Sequence, residues 1–250
     1  MRNYLRYNFS DFTTTNFRKL MQLAKKENYS FRTFTNFDKR GKFVLWRHDV
    51  DFSMHRARKL ARIEADENIK ATYFLFLHSE FYNLLEKEIT DCVVDIIKTG
   101  HEIGLHFDVS YYRINDEKSL EKYLLLEKSI LEKIFKKEIK VFSFHILNAF
   151  TKRCKKQKYA GLINTYADYF RNEVEYCSDS NGYWRFKRLE DVLRNPKINC
   201  LQVLTHPSLW QDDVMAPRQR VMRCIKGRAE KTIRWYDRTL LRGKRKNIYR

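Results

Sequence analysis

Phe43-Val44-Leu45-Trp46, running into Arg47-His48-Asp49-Val50-Asp51-Phe52-Ser53, is the stretch from which the fold is read. Four bulky apolar residues followed by a polar cluster describe a buried strand at its C-terminal end, where parallel α/β sheets and barrels place their chemistry. Side chains alternate along a strand, so Asp49 and Asp51 point the same way if the strand continues through the cluster. Two acids aimed into one mouth make a metal site, a base beside a ligand, or a pair of hydrated loop residues.

The same unit recurs on either side. Upstream, Asp11 or one of Thr13 to Thr15 can cap a helix that turns Phe17, Leu20, Met21 and Ala24 inward, and residues 29–34 alternate as an edge strand does. Downstream, Ser53 caps a helix carrying Ala57, Leu60, Ala61 and Glu64. Apolar runs at 71–77, 102–106, 141–144 and 200–204 read as further strands, with weaker ones at 162–166 and 175–177. Helical patterns at 87–98, 117–136 and 189–194 separate them, and Gly100 sits where a helix C-terminus wants glycine. Strands alternating with helices imply βαβ units, right-handed crossovers and a largely parallel sheet.

His106, His145 and His206 each stand just past one of these runs, as Asp49 and Asp51 do. One carboxylate and two imidazoles suit a divalent ion such as zinc, with positions left for water. Asp51, His106 and one of His145 or His206 can supply that set. The ordinary fate of a single histidine is a satisfied structural role; the joint placement at equivalent strand ends argues for a site.

Composition sets the bounds. A chain of 250 residues fits one domain of barrel size, here taken as 1–250 with a basic helical tail from about 212 to 250. Lys and Arg outnumber Asp and Glu by 50 to 31, giving a formal charge of +19 and pointing to an anionic partner: nucleic acid, phospholipid surface, nucleotide-sugar or acidic glycan. Nucleic acid is the least favoured, because no groove-reading motif accompanies the charge. The cysteines at 92, 154, 177, 200 and 224 show neither zinc-finger nor CxxC spacing, which suggests reduced thiols of a cytoplasmic protein. No signal-peptide core or membrane-spanning run is seen. From Pro217 onward the tail holds thirteen basic residues against Glu230 and Asp237, with Val221, Ile225, Ile233, Tyr236 and Leu240 as an apolar stripe. Such a helix packs its stripe on the body or docks on an anionic surface, a peripheral membrane contact included.

These residues carry a family resemblance. Asp49-Val50-Asp51-Phe52-Ser53, followed after a helix by Lys70-Ala71-Thr72-Tyr73-Phe74, resembles the first motif and next strand of the polysaccharide deacetylases of carbohydrate esterase family 4. Gly100 to Asp108, GHEIGLHFD, is similar to the second motif, Ser143 to Leu147, SFHIL, to the third, and Gln202 to Pro207, QVLTHP, to the last. The pattern of Tyr176, Ser178, Asp179, Ser180, Gly182 and Trp184 is similar to a further run of the subgroup with an RHDVD first motif, associated with surface-polysaccharide and lipopolysaccharide gene sets.

The resemblance implies a distorted (β/α)7 barrel that hydrolyses the C–N bond of an N-acetyl sugar with a divalent metal, most often zinc. It implies Asp51, His106 and His145 as metal ligands, Asp49 as catalytic base and His206 as proton donor to the leaving amine. It also implies Asp179 and Trp184 as substrate contacts, with Asp179 alternatively orienting His206. His101 falls to a structural role, and His48 lies beside the acids. Two departures stand out: Ser110 replaces a second ligand of the family, for which Asp108 or, preferably, His145 is the substitute, and Ile146 replaces an arginine that orients the catalytic acid. They motivate an alternative, a catalytically inactive barrel that binds a glycan or a protein partner. A basic chain without a signal peptide suggests a nucleotide- or lipid-linked acetylated sugar as substrate.

Overall fold

A computed structural model describes residues 7–36 and 38–248. In chain order it holds α1 (Thr14–Lys26), β1 (Ser30–Arg32), β2 (Phe43–Val50), α2 (Met54–Asp66), β3 (Thr72–Phe76), α3 (Lys87–Lys98), β4 (Glu102–Phe107), α4 (Glu117–Phe135) and β5 (Val141–Phe144). There follow α5 (Ala149–Arg153), β6 (Lys158–Tyr159), β7 (Leu162–Asn164), α6 (Asp168–Asn172), β8 (Glu175–Ser178), α7 (Leu189–Leu193), β9 (Cys200–Thr205) and α8 (Pro217–Arg242). The caps are local chemistry: Thr13, Ser53 and Asp116 each accept a backbone N–H from the first turn of the helix that follows.

The strands form one sheet in the order β6-β7-β5-β4-β3-β2-β9-β8, with β1 pairing the first half of β2. Every pair is parallel except the small β6–β7 hairpin, where Ala160 and Gly161 turn the chain at positive φ. This is the α/β barrel-like class the sequence predicts, with β6 and β8 as open edges. The sheet is strongly curled. In a flat sheet β2 and β7 would lie about four strand spacings, or roughly 19 Å, apart, yet the Arg47 side chain of β2 reaches Thr165, just past β7, at 2.7 Å.

Curling gives each strand an inner and an outer face, and the period of two sorts the side chains between them. On β2, Val44, Trp46 and Val50 face the helices and join the main core, whereas Phe43 and Leu45 join Phe34, Phe74, Val141 and Phe170 in a smaller inner core. Gly104 on β4 is confined by that inner core, since a Cβ there would stand 2.7 Å from the Phe74 ring. Arg47 and Asp49 continue the inner face of β2; His48 turns outward. There its imidazole lies 2.7 Å from Glu64 Oε1 of α2 and 2.7 Å from the Thr205 hydroxyl, so it pins helix to sheet behind the acids. His101 completes this buried network, with Nε2 against the Ala61 carbonyl, which is the structural role expected of it.

The C-terminal helix differs from the expectation of a stripe packed on the body. Among its described residues only Arg220 is fully buried; of the stripe, Val221 and Leu240 are half-buried, while Ile225, Ile233 and Tyr236 are exposed. Its middle is held instead by ion pairs, Arg228 to Glu86 and Lys231 to Glu86 and Glu88.

Candidate metal centre

Asp51, His106, His145 and His206 lie just beyond, or at the ends of, β2, β4, β5 and β9, and because each continues the inner-face parity of its strand they meet at the sheet's C-terminal mouth. His106 Nε2 stands 3.2 Å from Asp51 Oδ1, His145 Nδ1 stands 3.1 Å from His106 Nε2, and His145 Nδ1 stands 3.7 Å from Asp51 Oδ1. A tetrahedral ion with bonds of about 2.0–2.1 Å spaces its ligands by about 3.3 Å, so this triangle of donors has the size such an ion requires. The polar atoms agree. Asp51 Oδ1, Asp49 Oδ1 and His106 Nδ1 are buried without a hydrogen-bond partner, a concentration of unmet polarity in one place that a cation and its waters would satisfy. Among the described residues this trio is the group of acids, histidines and cysteines whose donor atoms converge closely enough to hold an ion.

Supporting side chains shape the trio. Phe76, at the end of β3, lies under both imidazoles, its ring centre 4.4 Å from that of His145 and 5.5 Å from that of His106. Burial is the largest influence on Asp51 and favours its neutral form, but the neighbouring His106 and His145 imidazoles and the His206 charge outweigh it and hold the carboxyl well below the usual range. His145 is pushed down by burial and raised, on balance, by Asp51.

His206 closes the mouth from the other side, with Nε2 3.7 Å from Asp51 Oδ2. Its Nδ1 lies 2.6 Å from Asp179 Oδ1, and its backbone N–H donates to Asp179 Oδ2 at 2.7 Å. Burial alone would lower the imidazole; the Asp179 charge and hydrogen bond, with Asp51 and Asp49, raise it to about 9. Asp179 has no exposed surface, and Trp210 Nε1 also donates to it, so its place is beneath His206 and out of reach of a substrate.

Asp49 lies deeper than Asp51. Its Oδ2 accepts from Arg47 at 3.0 Å and from Ser143 at 3.3 Å, and stands 3.8 Å from His106 Nδ1. Arg47 is wholly buried, donates also to Tyr166 and Thr165, and lies over the Phe74 and Tyr166 rings. A guanidinium therefore holds Asp49; Ile146, where the family resemblance places an arginine, stands exposed. The signal for Arg47 was present in the sequence: it precedes Asp49 by two residues, on the same strand face.

Trp184 requires a correction. Expected to stack on a sugar ring, it is 1% exposed, packs on Phe12 and Trp210, and donates its indole N–H to Asp11 at 2.7 Å. It is a core residue, and substrate cannot reach it. Ser110 lies exposed in a turn with its N–H on Asp108, and the donor that converges with Asp51 and His106 is His145.

No protein-family model matches the sequence, and no curated protein matches it. Among solved structures, the chain is similar to a peptidoglycan deacetylase from Bacillus subtilis at 12% identity, covering 83% of this chain and 99% of that one, with a TM-score of 0.46. It is similar to the chitin deacetylase of the fungal pathogen Colletotrichum lindemuthianum at 14% identity, covering 76% and 84%, with a TM-score of 0.48. It is also similar to a CE4 family pseudoenzyme from Bacillus anthracis at 14% identity, covering 78% and 63%, with a TM-score of 0.43. The activities in those names belong to those proteins. For this chain the chemistry rests on its own side chains.

Proposed function

We propose that this protein is a metal-dependent hydrolase that removes the acetyl group from an N-acetylated sugar, in the making of a surface polysaccharide or lipopolysaccharide. The observation that carries the reading is the donor triangle of Asp51, His106 and His145 with the His206–Asp179 pair facing it across one mouth. Asp51, His106 and His145 would hold the ion, most suitably zinc given one oxygen and two nitrogen donors. When bound, it supplies Lewis acidity for a carbonyl oxygen and lowers the pKa of a water.

The chain's own residues do the rest. Asp49 keeps one oxygen free of protein partners and takes a proton from water, while Arg47 holds the other oxygen in place. His206, with Nδ1 fixed on Asp179, presents Nε2 to the mouth and delivers a proton to the departing amine. The reading is tested by acetate release from N-acetylglucosamine-bearing donors, nucleotide-linked, lipid-linked and polymeric, before and after chelation. Release abolished by chelator and restored by zinc supports it; no release from any of them, with metal bound, contradicts it.

A second reading, a barrel that binds a glycan without cleaving it, is favoured by the depth of Asp49, which is 2% exposed. Metal binding and sugar binding without acetate release would be its signature.

A further inference from the structure

Beside the metal centre lies a cavity of about 390 Å³, in the lower part of the ~300–1,000 Å³ range of small-molecule pockets. Asp51 and His206 form one part of its lining, and Ser180, Asn181, Arg185 and Arg218 another. Among the described residues neither Arg185 nor Arg218 makes an ion pair or hydrogen bond; Arg185 only lies over the neighbouring Phe186 ring. Other cations of this region are engaged: Arg188 by Asp11 and Glu190, Arg223 by Asp213, Arg228 by Glu86. Two exposed guanidiniums without ion-pair partners thus line the cavity that also holds Asp51 and His206.

The wall carrying them is built rather than incidental. Arg218 belongs to the first turn of α8, a 26-residue helix whose dipole favours an anion at that end. Arg220, two residues on and wholly buried, donates to the Gly182 carbonyl at 2.9 Å and so ties the 180–182 loop to the helix. Gly182 sits at φ +84°, and a Cβ there would stand 2.8 Å from that guanidinium, so loop and helix meet this closely only through glycine.

We propose that Arg185 and Arg218 form an anion subsite for the phosphate or diphosphate of a carrier-linked sugar, the sugar's acetamido group lying toward Asp51 and His206. This rests on the hydrolase reading for the sugar end alone; the anion end stands on the cavity. Guanidiniums suit it because they pair phosphate oxygens bidentately. The nucleoside and the lipid are two sources of the same diphosphate.

The test is calorimetric titration of the full chain, metal-stripped so that bound ion cannot capture the probe, with inorganic pyrophosphate, uridine diphosphate and a polyprenyl diphosphate in detergent. Arg185→Ala/Arg218→Ala is compared with Lys244→Ala/Arg245→Ala, which removes equal charge elsewhere. The expected result is saturable binding, weakened roughly tenfold or more in the first double variant, as loss of charge-assisted hydrogen bonds implies, and unchanged in the second. Tighter uridine diphosphate or tighter polyprenyl diphosphate binding supports the subsite and names its source. Equal weakening in both double variants, or binding unaffected by either, overturns it. Anion binding that depends on Arg185 and Arg218, in a protein that releases no acetate once zinc is restored, would sink the hydrolase reading and leave the subsite standing.

Discussion

Arg47 Nη2 lies 3.0 Å from Asp49 Oδ2, with both side chains shut off from solvent on the inner face of one strand. Burial is the largest influence on the guanidinium and disfavours its charge, yet Asp49 reverses that and holds its pKa above the usual value. Breaking such a pair leaves a buried charge alone. Arg47→Met is therefore expected to cost about 3–5 kcal/mol of stability, and Arg47→Met/Asp49→Leu to recover most of it. Denaturant unfolding of both variants checks this, and a single variant as stable as wild type would contradict the pairing.

Trp184 separates packing from recognition. Trp184→Ala should cost about 3–5 kcal/mol by emptying the space between Phe12 and Trp210. Trp184→Phe should cost much less, because Asp11 keeps its two bonds from Arg188. Affinity for any sugar should be unmoved in the phenylalanine variant. A weakened sugar affinity with unchanged thermal stability would restore Trp184 to the substrate site.

Asp179→Asn removes the charge that faces His206 Nδ1 while keeping its shape. Acetate release should fall roughly 100-fold or more, the scale of a lost general acid, with metal content unchanged. Loss of metal together with activity would instead make Asp179 part of the ligand support.

The acid limb of stability should depend on Asp212. Lys59 is the largest influence on its carboxyl and lowers it; burial opposes this, and Thr14 and Arg56 add to the lowering, which brings the group to about 2. Its folded pKa is depressed, so its contribution is present above the unfolded value of about 3.9 and is lost as pH falls toward 2. Asp212→Asn should flatten the stability profile between about pH 4 and 2 and leave it parallel to wild type above. Midpoints of denaturant unfolding across that range decide it; an unchanged slope would show the contacts to be screened away.

The strands were legible because they are apolar runs of the right length, and the centre because Asp51, His106, His145 and His206 extend those runs with unbroken parity. Arg47 was harder to read. A charged residue inside a strand ordinarily signals exposure, and its partners Thr165 and Tyr166 are 118 and 119 residues away, brought near only by the curl of the sheet. Trp184 lies in a loop with no periodicity to mark its inner side. The C-terminal stripe has helical spacing, but spacing does not say whether a body surface lies opposite, and for Ile225, Ile233 and Tyr236 none does. Arg185 and Arg218, 33 residues apart in number, share a cavity only because Arg220 and Gly182 join loop to helix.

The central claim is that Asp51, His106 and His145 hold a catalytic metal. Elemental analysis of the dialysed protein tests it most directly, with wild type beside Asp51→Ala, His106→Ala and His145→Ala, and Ser110→Ala as the control from the exposed turn. The account predicts a stoichiometric divalent ion in wild type and Ser110→Ala that is lost from the other three. A wild type that takes up no zinc, cobalt or nickel on reconstitution, or an ion retained in all three ligand variants, would contradict it.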